Sequence, residues 1–300
     1  VYRIGYLSQP SRASVEQALD AFLKALHEMG WVEGRNLQIE YRWADGDASR
    51  LPGQAADLVR RKVDLIVAPA GTAALAAKAA TTTIPIVMIF PVDPVQLGLV
   101  ASLSRPGGNV TGTTLTPGPE IFGRQLQLLK DAAPHANRIA VLRNPTEPGS
   151  SSQVAVMESA AKTMGVRLLQ VMARGPEDFD AAFASMARER VEALLAATSS
   201  TWIVHRARLA ELAIRHRLAT MFNYREMVEA GGLMSYSVNM VDFIGRAATY
   251  VDRILRGAKA ADLAVEQPTA FELVVNAKTA KAIGLTLPQA ILQRADQVIG

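Results

Sequence analysis

Small polar residues recur in this chain just beyond short apolar, β-branched runs, and their side chains are the ones best placed to hold a small molecule. Ser8 and Gln9 follow the run at 3–7, Gly71 and Thr72 follow the run at 63–67, and Asp93 follows the run at 84–89. In the second half, Asn144 follows 138–142, Thr198, Ser199 and Ser200 follow 191–197, and Tyr224 and Tyr236 accompany the runs at 220–222 and 233–236. Hydroxyls, amides and one carboxylate can hydrogen-bond a ligand. Each also has a local reading: Ser8 and Thr72 as helix caps, Asp93-Pro94 as a cap or turn start, and Asn144-Pro145 as a turn dipeptide.

Signatures of catalysis are missing from the same stretches. There is no G-x-x-x-x-G-K-[ST] phosphate loop, no G-x-G-x-x-G after a strand, no G-x-S-x-G elbow and no H-E-x-x-H. His27, His135, His205 and His216 lie far apart or among charged neighbours and read as solvated, so neither a metal site nor a cofactor is expected. With no cysteine, disulfides, thiolate metal ligands and the cysteine-pair chemistry of two-lobed amino-acid racemases are excluded. Asp45-Gly46-Asp47 lacks the spacing of an EF-hand and reads as a turn. The expectation is a binding protein and not an enzyme.

Composition agrees with that. Three hundred residues, 49% hydrophobic and 20% charged, suffice for two lobes of ordinary domain size. The longest apolar runs, 63–70 and 84–91, have strand length, well short of the ~18 to 20 residues of a membrane-spanning helix. The net charge of +4 is scattered, its densest cluster, Arg60-Arg61-Lys62, reads as a helix end, and no basic stripe with interleaved aromatics suggests a nucleic-acid partner. The chain opens at Val1-Tyr2-Arg3-Ile4 without an initiator Met, so it either starts inside a fold or follows a removed leader.

The elements that must position these groups alternate. Strands are predicted at 3–7, 37–41, 63–67 and 84–89, with helices at 14–29, 51–61 and 73–80 between them. Ser14 with Gln17 forms a capping-box pattern and Gly30 supplies a stop. After the turn Arg105-Pro106-Gly107-Gly108-Asn109 and a short strand at 110–114, Pro117-Gly118-Pro119 reads as a crossing into a second, similar series. That series has strands at 138–142, 166–171, 191–197, 220–222 and 233–236 and helices at 152–164, 178–188 and 202–216. A helix at 243–255, an extended piece at 268–275 and a short final helix complete the chain. The predicted fold class is α/β, with two Rossmann-like lobes and parallel sheets, 1–115 with 240–267 in one lobe and 116–239 with 268–300 in the other, joined by three interlobe crossings. Open α/β sheets place ligands at the carboxyl ends of their strands, and two such crevices facing one another would make a cleft. Phe90, Trp202 and Phe222 read as core, or as an aromatic wall of that cleft.

Several stretches together resemble a known family. Ile4-Gly5-Tyr6-Leu7-Ser8, Gly30-Trp31-Val32-Glu33-Gly34-Arg35-Asn36, Asp93-Pro94-Val95 with Gly98-Leu99-Val100, Arg105-Pro106-Gly107-Gly108-Asn109-Val110-Thr111-Gly112, and residues 276–288 are similar to the ABC-transporter substrate-binding proteins of the tryptophan/tyrosine-type group, within the type I periplasmic binding proteins. The resemblance spans essentially the whole chain. It implies a periplasmic or lipid-anchored, monomeric receptor that hands a small ligand to an ABC permease on other chains. The ligand it implies is an amino acid, aromatic in preference, or a related carboxylate. Ser8, Thr72 and Asp93 would then hold the α-carboxylate and ammonium groups, with Asn144 and the Thr198 region contributed by the second lobe. The expected ligand set is Ser8, Gln9, Gly71, Thr72, Asp93, Asn144, Thr198, Ser199, Tyr224 and Tyr236. The loop 197–201 carries no carboxylate of its own, which keeps acids lacking an amine among the expected ligands. The alternative function is a ligand-sensing domain of the same fold acting through a signalling partner.

Overall fold

A computed structural model describes residues 1–115 and 120–300, so the Pro117-Gly118-Pro119 turn lies outside the described residues. The chain divides into two compact units, Val1–Pro117 with Met240–Thr269 and Gly118–Asn239 with Ala270–Gly300, and passes between them three times.

The first unit begins with β1 (Tyr2–Ser8), α1 (Glu16–Glu28), β2 (Leu37–Trp43), α2 (Leu51–Arg60), β3 (Leu65–Pro69), α3 (Ala70–Ala80), β4 (Ile86–Ile89) and β5 (Val110–Gly112). Its strands are all parallel, in the order β2-β1-β3-β4-β5. β4 is buried along its whole length and β3 along all but its last residue, which explains their unbroken β-branched and apolar character. α2 approaches β1 closely at Gly5, where an added Cβ would stand 2.7 Å from Leu58 Cδ1.

Two local expectations change. Residues Arg12–Val15 form a 3-10 turn in which Ser14 Oγ meets Ser11 Oγ at 3.0 Å, so Ser14 lies inside a helical turn, where it cannot cap α1. α3 starts at Ala70, three residues earlier than its apolar spacing suggests, and so takes Gly71 and Thr72 into its first turn. The Arg105 to Gly112 segment is a structural clamp: Asn109 Nδ2 donates to the carbonyls of Thr81 and Ile84, at 3.0 and 2.8 Å. Gly112 has φ +129°, and a Cβ there would lie 2.1 Å from Met88 O, so no other residue fits without moving β4.

The second unit follows with α4 (Glu120–Ala132), β6 (Arg138–Arg143), α5 (Ser150–Met164), β7 (Arg167–Met172), α6 (Pro176–Arg188), β8 (Ala193–Ala196), α7 (Ser200–Val204), α8 (Arg206–Arg215), β9 (Ala219–Phe222), α9 (Arg225–Glu229) and β10 (Met234–Ser237). The helix expected across 202–216 is broken at His205 into α7 and α8. Trp202 is buried and its Nε1 donates back to Ala197 O at 2.7 Å, which fixes the first piece against the end of β8. His205 is half-buried edge-on to Phe179, and His216 packs against Phe183, so two of the four histidines are packed and not free in solvent. Burial lowers the pKa of His205.

The chain then returns to the first unit as α10 (Met240–Leu255), which packs on α1 and on β3, β4 and β5. It finishes in the second unit with β11 (Glu272–Asn276), α11 (Ala277–Ile283), α12 (Gln289–Arg294) and β12 (Gln297–Ile299). The second sheet runs β12-β11-β10-β9-β8-β6-β7, parallel except for the antiparallel pair β10 and β11. One extended piece and one helix are expected in this tail; it holds two strands and two helices. Asn276 caps α11 by accepting from Thr279 N at 2.9 Å.

Candidate functional site

At the carboxyl end of the first sheet, buried Ser8 closes its own turn by donating to Pro10 O at 3.3 Å. Gln9 Oε1 accepts from Thr72 Oγ1 at 2.9 Å, a bond that ties the end of β1 to the first turn of α3. Gln9, Gly71 and Thr72 therefore lie together. Asp93 is exposed, its Oδ1 accepts from Gln96 N at 3.0 Å, and its carbonyl accepts from Leu97 N at 3.0 Å. Its carboxylate caps a turn, the local reading of Asp-Pro.

Three non-glycine residues at these strand ends occupy the left-handed region: Ala70 at φ 65°, Phe90 at φ 63° and Asp93 at φ 48°. Such conformations cost of order 1 to 3 kcal/mol each and gather where backbone must be aimed at a ligand. The Phe90 ring stacks on Phe243 of α10, with centroids 5.6 Å apart, and gives the end of β4 an aromatic face.

In the second unit the polar residues are more deeply enclosed. Asn144 Oδ1 accepts from Thr146 N and Oγ1, at 3.0 and 2.7 Å, and its Nδ2 donates to Thr201 Oγ1 at 3.1 Å. Both ends of the amide are occupied, so Asn144 braces the loop after β6 against α7. That brace carries Glu147 to Ser199, whose Oγ donates to Glu147 Oε2 at 2.9 Å. The Ser200 backbone N–H donates to the same carboxylate. Desolvation nevertheless pushes the Glu147 pKa up to about 7, against the pull of those two bonds. Among the described residues no cation pairs with it; Arg143, at the end of the same strand, turns to Ser150, Ser151 and Gln170. Burial raises the Tyr224 hydroxyl far above its ordinary range, and the nearby charges of Glu147 and Glu226 add to the effect.

Thr198 completes the group. Its N–H donates to Gln153 Oε1 at 2.8 Å, while Thr198 Oγ1 and Gln153 Nε2 are buried without a hydrogen-bond partner among the described residues. A parallel arrangement lies beside it: Gln125 Nε2 donates to Asn223 Oδ1 and to Tyr236 O, each at 2.8 Å, and Gln125 Oε1 has no partner. The Tyr236 ring is partly exposed and stacks on Phe271 at 5.6 Å.

Glu147, Gln153, Gln125 and Asn223 are absent from the set expected from sequence. Glu147 left one signal, an acid three residues after Asn144 in the loop that follows a buried strand. The glutamines left none, because a polar position on a helix is ordinarily a solvated one. The carboxylate that the 197–201 loop lacks is supplied from the β6 loop.

No group of three or more His, Asp or Glu among the described residues could hold a metal ion, and no described helix is long and apolar enough to cross a membrane. The model of a family described as ABC transporter substrate binding protein matches residues 4–299. A tyrosine-binding protein of Clostridioides difficile (strain R20291) is 27% identical over 282 residues, 94% of this chain and 81% of that relative. A Streptococcus pneumonia ABC domain in complex with L-Trp superposes with a TM-score of 0.92 at 27% identity, covering 99% of both chains. At 15% identity, a Thermotoga maritima leucine-binding protein superposes with a TM-score of 0.66 over 94% of this chain and 87% of its own, a likeness of fold alone.

Proposed function

We propose that this chain, which belongs to the ABC transporter substrate-binding protein family, is an extracytoplasmic receptor that captures an aromatic amino acid for an importer. Family members are binding proteins and not enzymes, and the fold is that of the type I periplasmic binding proteins. What carries the ligand reading is the pair of buried, unpartnered polar atoms, Thr198 Oγ1 and Gln153 Nε2, at the carboxyl end of β8. Proteins rarely leave such atoms unsatisfied, because each costs roughly 1 to 3 kcal/mol, and a bound polar molecule is a natural partner for them. The aromatic class is supported by relatives described as tyrosine-binding and as a complex with L-Trp.

In this reading Ser8, Gln9, Gly71 and Thr72 of the first unit and Thr198, Ser199, Tyr224 and Tyr236 of the second contact the ligand. Asp93 and Asn144 shape the loops around it. A ligand that binds one conformational state better than another shifts the protein toward that state by its differential affinity. The receptor works as a monomer outside the cytoplasm, held there by a leader-derived anchor or free, and delivers to a permease on other chains.

Thermal denaturation of the ligand-stripped chain with single amino acids tests the proposal. L-tryptophan or L-tyrosine at about a hundredfold over Kd is expected to stabilise it by roughly 2.7 kcal/mol. A panel in which no amino acid raises the melting temperature overturns the reading.

A further inference from the structure

We infer that Glu147 is the residue that recognises the ligand's ammonium group, so that this receptor selects an α-amino acid over the same acid without its amine. The inference rests on the amino-acid reading above and assigns a role that sequence reasoning gave to Asp93.

The geometry is that of an anion built to wait for a cation. The loop after β6 fixes the Glu147 backbone, whose N–H donates to Asn144 O and whose carbonyl accepts from Ser150 N, both at 3.2 Å. Ser199, held as the cap of α7 by Thr201 N, offers its hydroxyl to Oε2. The groups that meet the carboxylate are Ser199 and Ser200 at the start of α7 and Tyr224 at the start of α9, with Glu226 beyond it. None is a cation. Arg206 Nη1 is spent on Ile203 O at 2.8 Å, and His205, whose pKa burial lowers, is held against Phe179. Proteins that enclose a carboxylate normally set a positive group beside it, because an uncompensated charge away from water is costly. Here the partner is missing among the described residues, while Glu147 as a whole residue keeps some accessible surface.

A proton fills the gap in the free protein. With its pKa raised to about 7, Glu147 is partly protonated in the free protein at neutral pH. When a ligand arrives as R–NH3+, the ionised carboxylate pairs with it and the proton leaves to solvent; no covalent bond to carbon changes. An acid lacking the amine offers no positive charge, would set its own anion near Glu147, and displaces no proton.

Calorimetric titration of the full chain tests this with L-tryptophan and L-tyrosine against indole-3-propionate and 3-(4-hydroxyphenyl)propionate. Wild type is expected to prefer the amines by at least about tenfold, and Glu147→Gln to weaken amino-acid binding on the order of a hundredfold while leaving the amine-free acids unaffected. Titrations near pH 7 in buffers of different ionisation enthalpy should show release of a fraction of a proton per amino acid bound, fading at higher pH. Amino acids that bind wild type without proton release, amine-free acids that bind equally well, or a variant of unchanged affinity would each overturn the assignment while the receptor reading stands. Failure of every amino acid to bind wild type overturns both. Should Glu147→Gln fail to fold, proton release and the amine comparison on wild type decide the matter.

Discussion

The backbone N–H of Thr198 donates to Gln153 Oε1 at 2.8 Å, so the loop at the end of β8 is held by a side chain from the first turn of α5. Replacing Gln153 with Leu keeps most of the volume and strands that N–H. The expected cost is about 1 to 3 kcal/mol in urea denaturation, with a parallel loss of ligand affinity as the Thr198 to Ser200 loop loosens.

The same cluster makes stability depend on pH in an unusual direction. The Glu147 pKa is raised from 4.5 to about 7 in the folded chain, so its contribution is fully present below pH ~4.5 and is lost as pH rises through about 7. Ligand-free Glu147→Gln, which keeps a neutral hydrogen-bonding group, should exceed wild type in stability by about 1 to 3 kcal/mol at pH 8. Denaturant titrations should show the gap closing by pH 4; a constant gap would mean that Glu147 is not desolvated.

Asp93→Ala separates the two carboxylates. The exposed Asp93 caps the turn at Gln96, and its loss should lower stability by about 0.5 to 1 kcal/mol. Amino-acid affinity should stay within about threefold of wild type, less than 0.7 kcal/mol. A hundredfold loss in direct titration would restore Asp93 as the ammonium partner.

Gly112 is the most constrained position of the first sheet, combining φ +129° with a 2.1 Å approach of a would-be Cβ to Met88 O. Gly112→Ala is expected to cost more than about 3 kcal/mol, because both the backbone conformation and β4 must give way. Asn109→Ala, which only releases two carbonyls, should cost about 1 to 3 kcal/mol, and paired thermal melts would order the two.

What could be read in advance follows physical range. β3 and β4 are legible because strands covered on both faces need apolar residues almost throughout, and the two-unit order follows from the repeated alternation of strand and helix. β12 is not: its three residues, Gln297–Ile299, carry no periodicity, and pairing with β11 alone makes them a strand. The break at His205 arises from where the buried Trp202 must reach, which no spacing rule contains. Glu147 escapes for the same reason, since its meaning depends on Ser199, 52 residues further along the chain. The local turn chemistry of Asp93-Pro94 and Asn144-Pro145 is legible from the dipeptides themselves, and both side chains hydrogen-bond within their own loops.

The order in which the chain visits its two units also governs how it can be born. α10 lies against α1 and three strands of the first sheet, and β11 lines the edge of β10 in the second, so both units are finished only by the segments after Asn239. A growing chain on the ribosome therefore lacks α10 over its first sheet until residue 255 is made, and lacks β11 and β12 in its second until residue 299. The late arrival of both closing segments delays burial of the faces they cover.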